Sequence, residues 1–297
     1  MRVDLETLGK ARTPISAEKP VIYIAHGFLS NAGHMTKLEG LLRSLLPNAT
    51  IYRFGYDWKQ SVLRSGAELA DLIFKDGGEQ WPLLLVGHSM GGLVSRVANV
   101  ILSDPVSFAS FVWTLSAFGY QDDINFLKSR DFGHKAKREV NGIVTLATPN
   151  SGAMLQGQVS SYAALIQWAV NQVISPRLPS VLDLTTDRLF RLLQHFATST
   201  PVLSVAGSQM NRFTTGSGQI VRSAVKLGLN LTLPHDLVVE DVSVDLSKSI
   251  LPNEVMHHGN APYVHLRAYE DCTDVTHFNI HEKQVVAKYI ADFASRC

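Results

Sequence analysis

Hydrophobic and polar positions form two kinds of pattern along the chain. Short apolar runs predict buried strands, and apolar residues spaced three and four apart predict amphipathic helices. Strands that alternate with helices predict βαβ units, a parallel sheet and right-handed crossovers. The expected strands are residues 21–25, 50–54, 83–86, 142–147, 201–206 and 263–269.

Amphipathic helices are expected between and after these strands. The main ones are residues 34–46, residues 61–75, a segment directly after Ser89, and residues 281–293. Pro47 ends the first of them, because proline cannot continue a helix. The pattern therefore predicts an α/β protein with a mostly parallel central sheet flanked by helices.

Two stretches interrupt the alternation. Residues 107–120 are rich in aromatic side chains, and about twenty polar residues follow before the next strand; residues 153–197 hold two or three helical patterns, including 162–173 and 182–196. They are either additional core or a cap over the active site, since long insertions in compact domains are often functional. We predict one domain over 1–297, with a helical cap or lid insertion at about 153–197 and an apolar extension at about 107–139.

Composition narrows the class of protein. The 297 residues are 45% hydrophobic and 18% charged, which is typical of a soluble globular enzyme. The net charge of +1 gives no reason to expect a nucleic-acid partner. No apolar run reaches the roughly 18 residues of a membrane span, and the first residues lack the apolar stretch of a signal peptide. We expect a cytoplasmic protein, with secretion left open.

Two cysteines, Cys272 and Cys297, are too few and too far apart for a disulfide scaffold or a zinc site. Whether they pair in an oxidising compartment stays open. No metal and no cofactor are expected.

The segment Gly87-His88-Ser89-Met90-Gly91 lies between a predicted strand and a predicted helix. A serine hydroxyl becomes a useful nucleophile when a sharp turn projects it toward a base, and that turn crowds the positions two before and two after it. Gly87 and Gly91 fill those positions. Ser89 is therefore the predicted nucleophile.

Backbone donors for an oxyanion are expected from two places. One is Met90, directly after the nucleophile. The other is Phe28, in the loop His26-Gly27-Phe28 that follows the first strand, because ligands of open α/β sheets bind at the carboxyl ends of the strands.

The predicted general base is His277. It lies in the loop between the last strand and the last helix, whereas His281, the reserve candidate, begins that helix and has less freedom to turn inward. The acid that orients the base is expected on another loop, which favours Asp236. Asp241 remains an alternative, and Asp271 and Asp274 are weaker candidates because they share the loop of the histidine.

With these residues in place, the chain resembles the α/β-hydrolase superfamily, in the lipase-like branch that includes bacterial lipases and GPI-inositol deacylases. The resemblance spans about residues 20–295 and is carried further by Tyr56-Asp57-Trp58, residues 146–152, Val205-Ala-Gly and the Asp236 segment. It implies a carboxylic ester hydrolase that acts through a Ser89–His277–Asp236 triad and an acyl-enzyme, without a cofactor. The implied substrate is a small-molecule or lipid ester, with transient contact with a lipid surface as an open possibility.

The chain departs from that branch in two places. Leu237 stands where glycine commonly follows the acid, and a single glycine precedes Phe28. A single glycine before a bulky residue is also found in lipases in which that residue lines the acyl pocket. This resemblance implies a substrate with an unbranched acyl chain. Two alternatives stay open: an acyltransferase, thioesterase or amidase with the same triad, and a catalytically silent hydrolase fold that only binds. Oligomeric state is also left open.

Overall fold

The computed structural model describes residues 19–76, 81–103, 105–132, 137–150, 154–155, 158–159, 178–185, 189, 192–193, 200–207, 263–268 and 275–296. The question of whether Cys272 and Cys297 pair lies outside them.

Six strands form one parallel sheet in the order β2-β1-β3-β4-β7-β8, and two short strands form a separate antiparallel hairpin. All six strands expected from the apolar runs are confirmed. Their bounds are β1 (Val21–Ala25), β2 (Thr50–Phe54), β3 (Leu83–His88), β4 (Gly142–Leu146), β7 (Val202–Ala206) and β8 (Tyr263–Arg267), with the hairpin formed by β5 (Met154–Leu155) and β6 (Gln158–Val159).

Helices connect the strands as the alternation predicts. The described helices are α1 (Thr36–Leu45), α2 (Val62–Lys75), α3 (Met90–Leu102), α4 (Pro105–Ala117), α5 (Gln121–Ser129), α6 (Pro179–Thr185) and α7 (Gln284–Ala294), with 3-10 turns at Ala32–Met35 and Ile280–Glu282. None of them combines the length and the apolar character needed to cross a membrane.

One helix boundary was predicted wrongly. His281 does not begin α7 but lies in the preceding 3-10 turn, because Lys283 takes an extended conformation (φ −89°, ψ 130°) that separates the turn from the helix. α7 therefore starts three residues later than expected.

The sheet separates two hydrophobic cores. Strand side chains alternate between its faces, so Tyr23 and Leu85 enter one core while Ile24 and Val86 enter the other. The first core is completed by α2, α3, α4 and α5, and the second by α1 and α7. Both faces of the sheet are thus covered, as a parallel sheet requires.

The aromatic stretch at 107–120 adds to the first core. Phe111 and Leu115 are fully buried there, whereas Trp113 on the outer side of α4 is 77% exposed. Helix α5 follows in the polar stretch, where no helix was predicted.

The proposed cap at 153–197 is described only in part. The β5–β6 hairpin and α6 lie within it, and the predicted helix at 162–173 lies outside the described residues. Its role over the active site stays a prediction.

Candidate active site

The strand order reverses at the centre of the sheet. β1 pairs with β2 on one side and with β3 on the other, so the loops that leave β1 and β3 diverge at their carboxyl ends. In open α/β sheets the crevice at such a reversal is where ligands bind. The loop His26–Leu29 and the turn at Ser89 both lie at this edge.

Ser89 occupies the sharp turn between β3 and α3. Its backbone has φ 53° and ψ −123°, a conformation that non-glycine residues rarely adopt, and it immediately precedes the first residue of the helix. The surrounding structure holds it there: the Ser89 N–H donates to the Leu146 carbonyl at 2.8 Å.

The positions two before and two after Ser89 have no room for a Cβ atom, so both must be glycine. A Cβ on Gly87 would lie 2.2 Å from the Gly91 carbonyl oxygen, and a Cβ on Gly91 would lie 2.4 Å from the Ala25 carbonyl oxygen. Real Cβ atoms do not approach backbone atoms this closely. The spacing that singled out Ser89 in the sequence thus corresponds to a turn too tight for a side chain at Gly87 and to a helix start packed too closely against β1 for one at Gly91.

A third glycine, Gly92, was missed by the sequence analysis. A Cβ there would lie 2.0 Å from Thr148 Oγ1, so helix α3 packs directly against the loop after β4. The Gly91-Gly92 pair was the available signal, since two adjacent glycines at the start of a helix are unfavourable without a packing reason.

The loop after β1 lies against Ser89. A Cβ on Gly27 would be 3.0 Å from the Ser89 Cβ, and Phe28 follows directly, with its ring edge-on to Trp58 at 5.0 Å. Met90 is fully buried at the start of α3. The N–H groups in the first turn of a helix have no partner within the helix and favour negative charge.

His26 and Tyr56 fix this loop. The Tyr56 hydroxyl donates to the His26 carbonyl at 2.5 Å, and the two rings stack with centroids 4.1 Å apart. His26 Nδ1 lies 2.9 Å from the Gly27 carbonyl and Nε2 lies 3.5 Å from the Tyr56 N–H, which fits a neutral ring that donates through Nδ1. Burial lowers the pKa of His26 and favours that neutral form.

His277 reaches the same edge from the end of the chain. It is 5% exposed and sits in a turn closed by Asn279, whose side-chain oxygen accepts from the Thr276 N–H at 2.7 Å. Its ring centroid lies 5.0 Å from that of His88, the residue directly before Ser89. The predicted nucleophile and the predicted base therefore lie in neighbouring turns.

His281, the reserve base, is also buried in this region. Its ring centroid is 4.8 Å from that of His88, and burial lowers its pKa to about 4. A histidine with so low a pKa is a weak base near neutrality, which weakens the case for His281 as the base.

The predicted acid lies outside the described residues. This holds for Asp236 and equally for the alternatives Asp241, Asp271 and Asp274. Within the described part of the chain, no group of three or more histidine, cysteine or carboxylate side chains is arranged to hold a metal ion.

Neither a protein-family model nor a curated protein sequence matches this chain. Solved structures do match over nearly its whole length. The mature form of the lipase BlEst2 from Bacillus licheniformis is 16% identical, with 95% of this chain and 94% of that chain covered and a TM-score of 0.54. The product of the gene lin2722 from Listeria innocua is 15% identical, with 93% of each chain covered and a TM-score of 0.50.

A third match is the metagenomic carboxyl esterase MGS0156. It is 13% identical, with 97% of this chain and 79% of that chain covered and a TM-score of 0.52. Together with the parallel sheet and the turn at Ser89, these matches show that the chain has the α/β-hydrolase fold. This is the fold that the sequence motifs predicted.

Proposed function

We propose that this protein is a carboxylic ester hydrolase with Ser89 as its nucleophile. The observation that carries the proposal is the strained turn at Ser89, which lies at the strand-order reversal beside both the Gly27 loop and the His277 turn. Strain of this kind persists where the surrounding structure enforces it and is concentrated at active sites. A lipase and a carboxyl esterase have similar folds, which is consistent with this chemistry.

In the proposed mechanism, Ser89 Oγ attacks the ester carbonyl carbon while His277 takes the hydroxyl proton. The tetrahedral intermediate collapses by breaking the bond to the alcohol oxygen, which receives the proton from His277. Water then attacks the acyl-enzyme, again losing a proton to His277, and the carboxylic acid leaves as Ser89 regains its proton.

The oxyanion is proposed to bind the backbone N–H groups of Phe28 and Met90. The contact between Gly27 and Ser89 supports the first donor, and the position of Met90 at the start of α3 supports the second. Preorganised donors of this kind contribute roughly 3–4 kcal/mol each to transition-state stabilisation.

Ser89→Ala tests the nucleophile. We expect turnover of a short-chain p-nitrophenyl ester to fall by at least about 1,000-fold with the fold intact, because the covalent intermediate can no longer form. A fluorophosphonate probe should label the wild type and not this variant. Ser110→Ala, at an exposed serine on α4, is the matched control and should keep both labelling and turnover. Full esterase activity in Ser89→Ala would reject the proposal.

Asp236 is proposed to orient His277, on the grounds of its position in a separate loop and the chain order serine, aspartate, histidine. Four variants decide the assignment: Asp236→Asn, Asp241→Asn, Asp271→Asn and Asp274→Asn. We expect the first to lower kcat by about 10,000-fold, since an amide stabilises the wrong tautomer of the base. If another of the four shows the large loss, the acid is that residue.

A panel of matched esters, thioesters and amides separates hydrolysis of oxygen esters from the alternatives with the same triad. The proposal expects the highest kcat/KM on oxygen esters with unbranched acyl chains. A preference for thioesters, or transfer of the acyl group to an added alcohol in place of water, would assign the site to the alternative reaction.

A further inference from the structure

His88 is a buried polar side chain for which the proposed mechanism has no use. It occupies the variable position of the Gly87-His88-Ser89 turn and is 7% exposed. Buried polar groups that remain only partly hydrogen-bonded are uncommon in folded proteins, so each one calls for a physical reason.

One side of the His88 ring is bonded to the turn that carries the proposed base. His88 Nε2 lies 2.7 Å from the backbone carbonyl of His277. A carbonyl oxygen only accepts, so the imidazole donates through Nε2–H and its Nδ1 carries a lone pair. The bond joins the end of β3 to the turn before α7, and the two residues are 189 positions apart in the chain.

The other side of the ring lies against the loop that follows β1. A Cβ on Gly27 would be 3.2 Å from His88 Nδ1, and Nδ1 has no hydrogen-bond partner among the described residues. An unsatisfied buried acceptor costs roughly 1–3 kcal/mol. At this position the His88 ring fills the space between the Gly27 loop and the His277 turn, and this packing offsets the cost of the unsatisfied Nδ1.

Among the described residues, the titratable groups that face His88 are histidines. His277 and His281 face it from the turn before α7, and His26 faces it from the loop after β1. Burial and these neighbours hold the pKa of His88 well below its usual value. A neutral ring places no positive charge between the Ser89 turn and the His277 turn.

We propose that His88 is a positioning residue: it ties the His277 turn to the Ser89 turn and the Gly27 loop, and thereby sets the distance between the base, the nucleophile and the oxyanion donors. The proposal rests on the proposed function and adds to it a residue that does not itself touch the reacting atoms. A misplacement of about 1 Å in such a site lowers the rate by about 100-fold.

Two amide variants of similar polarity test this role. Glutamine places its amide nitrogen close to the position of the imidazole Nε2, whereas asparagine is one methylene too short to reach the His277 carbonyl. We expect His88→Gln to stay within about fivefold of the wild-type kcat, and His88→Asn to lose about 100-fold in kcat with little change in KM. Thermal unfolding of both variants controls for stability.

Three kinetic results would contradict the positioning role of His88. Equal losses in the glutamine and asparagine variants at equal stability, or a wild-type kcat in His88→Asn, would overturn the positioning role. A loss confined to KM would overturn it as well, because misplacement of the base acts on the chemical step.

A second measurement does not depend on activity. Proton NMR of the wild type should show a slowly exchanging imidazole N–H signal from the His88–His277 bond, and this signal should be missing in His88→Gln. Its absence from the wild type would reject the inference while leaving the proposed function standing. A wild type that shows the signal but neither hydrolyses esters nor reacts with a fluorophosphonate would reject the proposed function, and the positioning role with it.

Discussion

Single residues at the active-site edge are constrained mainly by contact distance. None of Gly27, Gly87, Gly91 and Gly92 has a φ in the left-handed region, yet an added Cβ would come too close to a neighbour at each of them. Their role is therefore to let the loop after β1, the Ser89 turn and the loop after β4 approach one another. The positive φ angles at this edge belong to non-glycine residues: Leu29 at 55°, Ser89 at 53° and Ala147 at 49°.

Gly27→Ala should damage the active site more than the fold. The added Cβ would lie 3.0 Å from the Ser89 Cβ and 3.2 Å from His88 Nδ1, so the Gly27 loop must shift by a few tenths of an ångström away from the nucleophile. We expect kcat on a short ester to fall by about 10- to 100-fold, at a stability cost of about 1–3 kcal/mol.

Gly40→Ala provides the matched control. Gly40 lies in the exposed part of α1 with no atom within 4 Å of the added Cβ, so the same substitution should stabilise the protein by about 0.5–1 kcal/mol without changing kcat. Measurement of kcat together with urea unfolding for both variants checks the prediction. A normal kcat in Gly27→Ala would show that the loop is not held against Ser89.

The sequence predicted the residues of the turn better than their partners. Gly87, Ser89 and Gly91 follow from a local spacing, because the turn is made by consecutive residues. His88 and Thr148 were not recognised, since their importance depends on contacts with His277 and Gly92 that no local pattern records.

At the scale of elements, helix α2 is held at its amino terminus by its own N-cap, Ser61, and by carboxylates from two other helices. Ser61 accepts from the Arg64 N–H and donates to Asp123 on α5, and Asp183 on α6 accepts from the Val62 N–H at 2.8 Å. The Tyr120 hydroxyl donates to the same Asp183 carboxylate at 2.9 Å. Carboxylates are stabilised near the amino terminus of α2 because the N-terminus of a helix carries a partial positive charge.

Asp183→Ala should therefore destabilise the protein by about 2–4 kcal/mol. Asp183 is 1% exposed, and its removal leaves the Val62 N–H and the Tyr120 hydroxyl buried without this acceptor. Asp122→Ala, at an exposed carboxylate in the first turn of α5, should cost no more than about 0.5 kcal/mol. Urea unfolding of the two variants checks the difference; equal costs would mean that Asp183 does not cap α2.

Elements with a strong hydrophobic pattern were predicted, and those held by polar contacts were not. The inner strands β1, β3, β4 and β7 are nearly continuous apolar runs, which is typical of strands buried on both faces. Helix α5 buries only Ile124 and Leu127 among its apolar residues and is held in addition by the bond from Ser61 to Asp123, so its sequence resembles a polar loop. The two-residue strands of the β5–β6 hairpin are too short for a period to be recognised.

At the scale of the whole molecule, the strand order is a tertiary property. Alternation of strands and helices predicts a parallel sheet, but not that β3 lies beside β1 or that β8 lies at an edge. His277 follows that edge strand and still reaches His88 above the centre of the sheet. The site therefore depends on the return path of the chain after β8, which the strand pattern does not specify.

A further property of the whole molecule is its set of buried neutral histidines. Burial lowers the pKa values of His26, His88 and His281, the last to about 4, whereas an unfolded histidine titrates near 6.5. Below about pH 6.5 the unfolded chain binds more protons at these positions than the folded protein. The free energy of unfolding must then decrease as pH falls, because folding competes with protonation.

We expect the protein to lose stability between about pH 6.5 and pH 4, with a contribution of roughly 3 kcal/mol from His281 alone. His281→Gln removes that titrating group, so its unfolding free energy should depend less steeply on pH over this window than that of the wild type. Urea unfolding at intervals from pH 7.5 to pH 4 measures both curves, and the difference at pH 7.5 corrects for any packing cost of glutamine. Parallel curves would show that His281 titrates alike in the folded and unfolded chains and is not held neutral by burial.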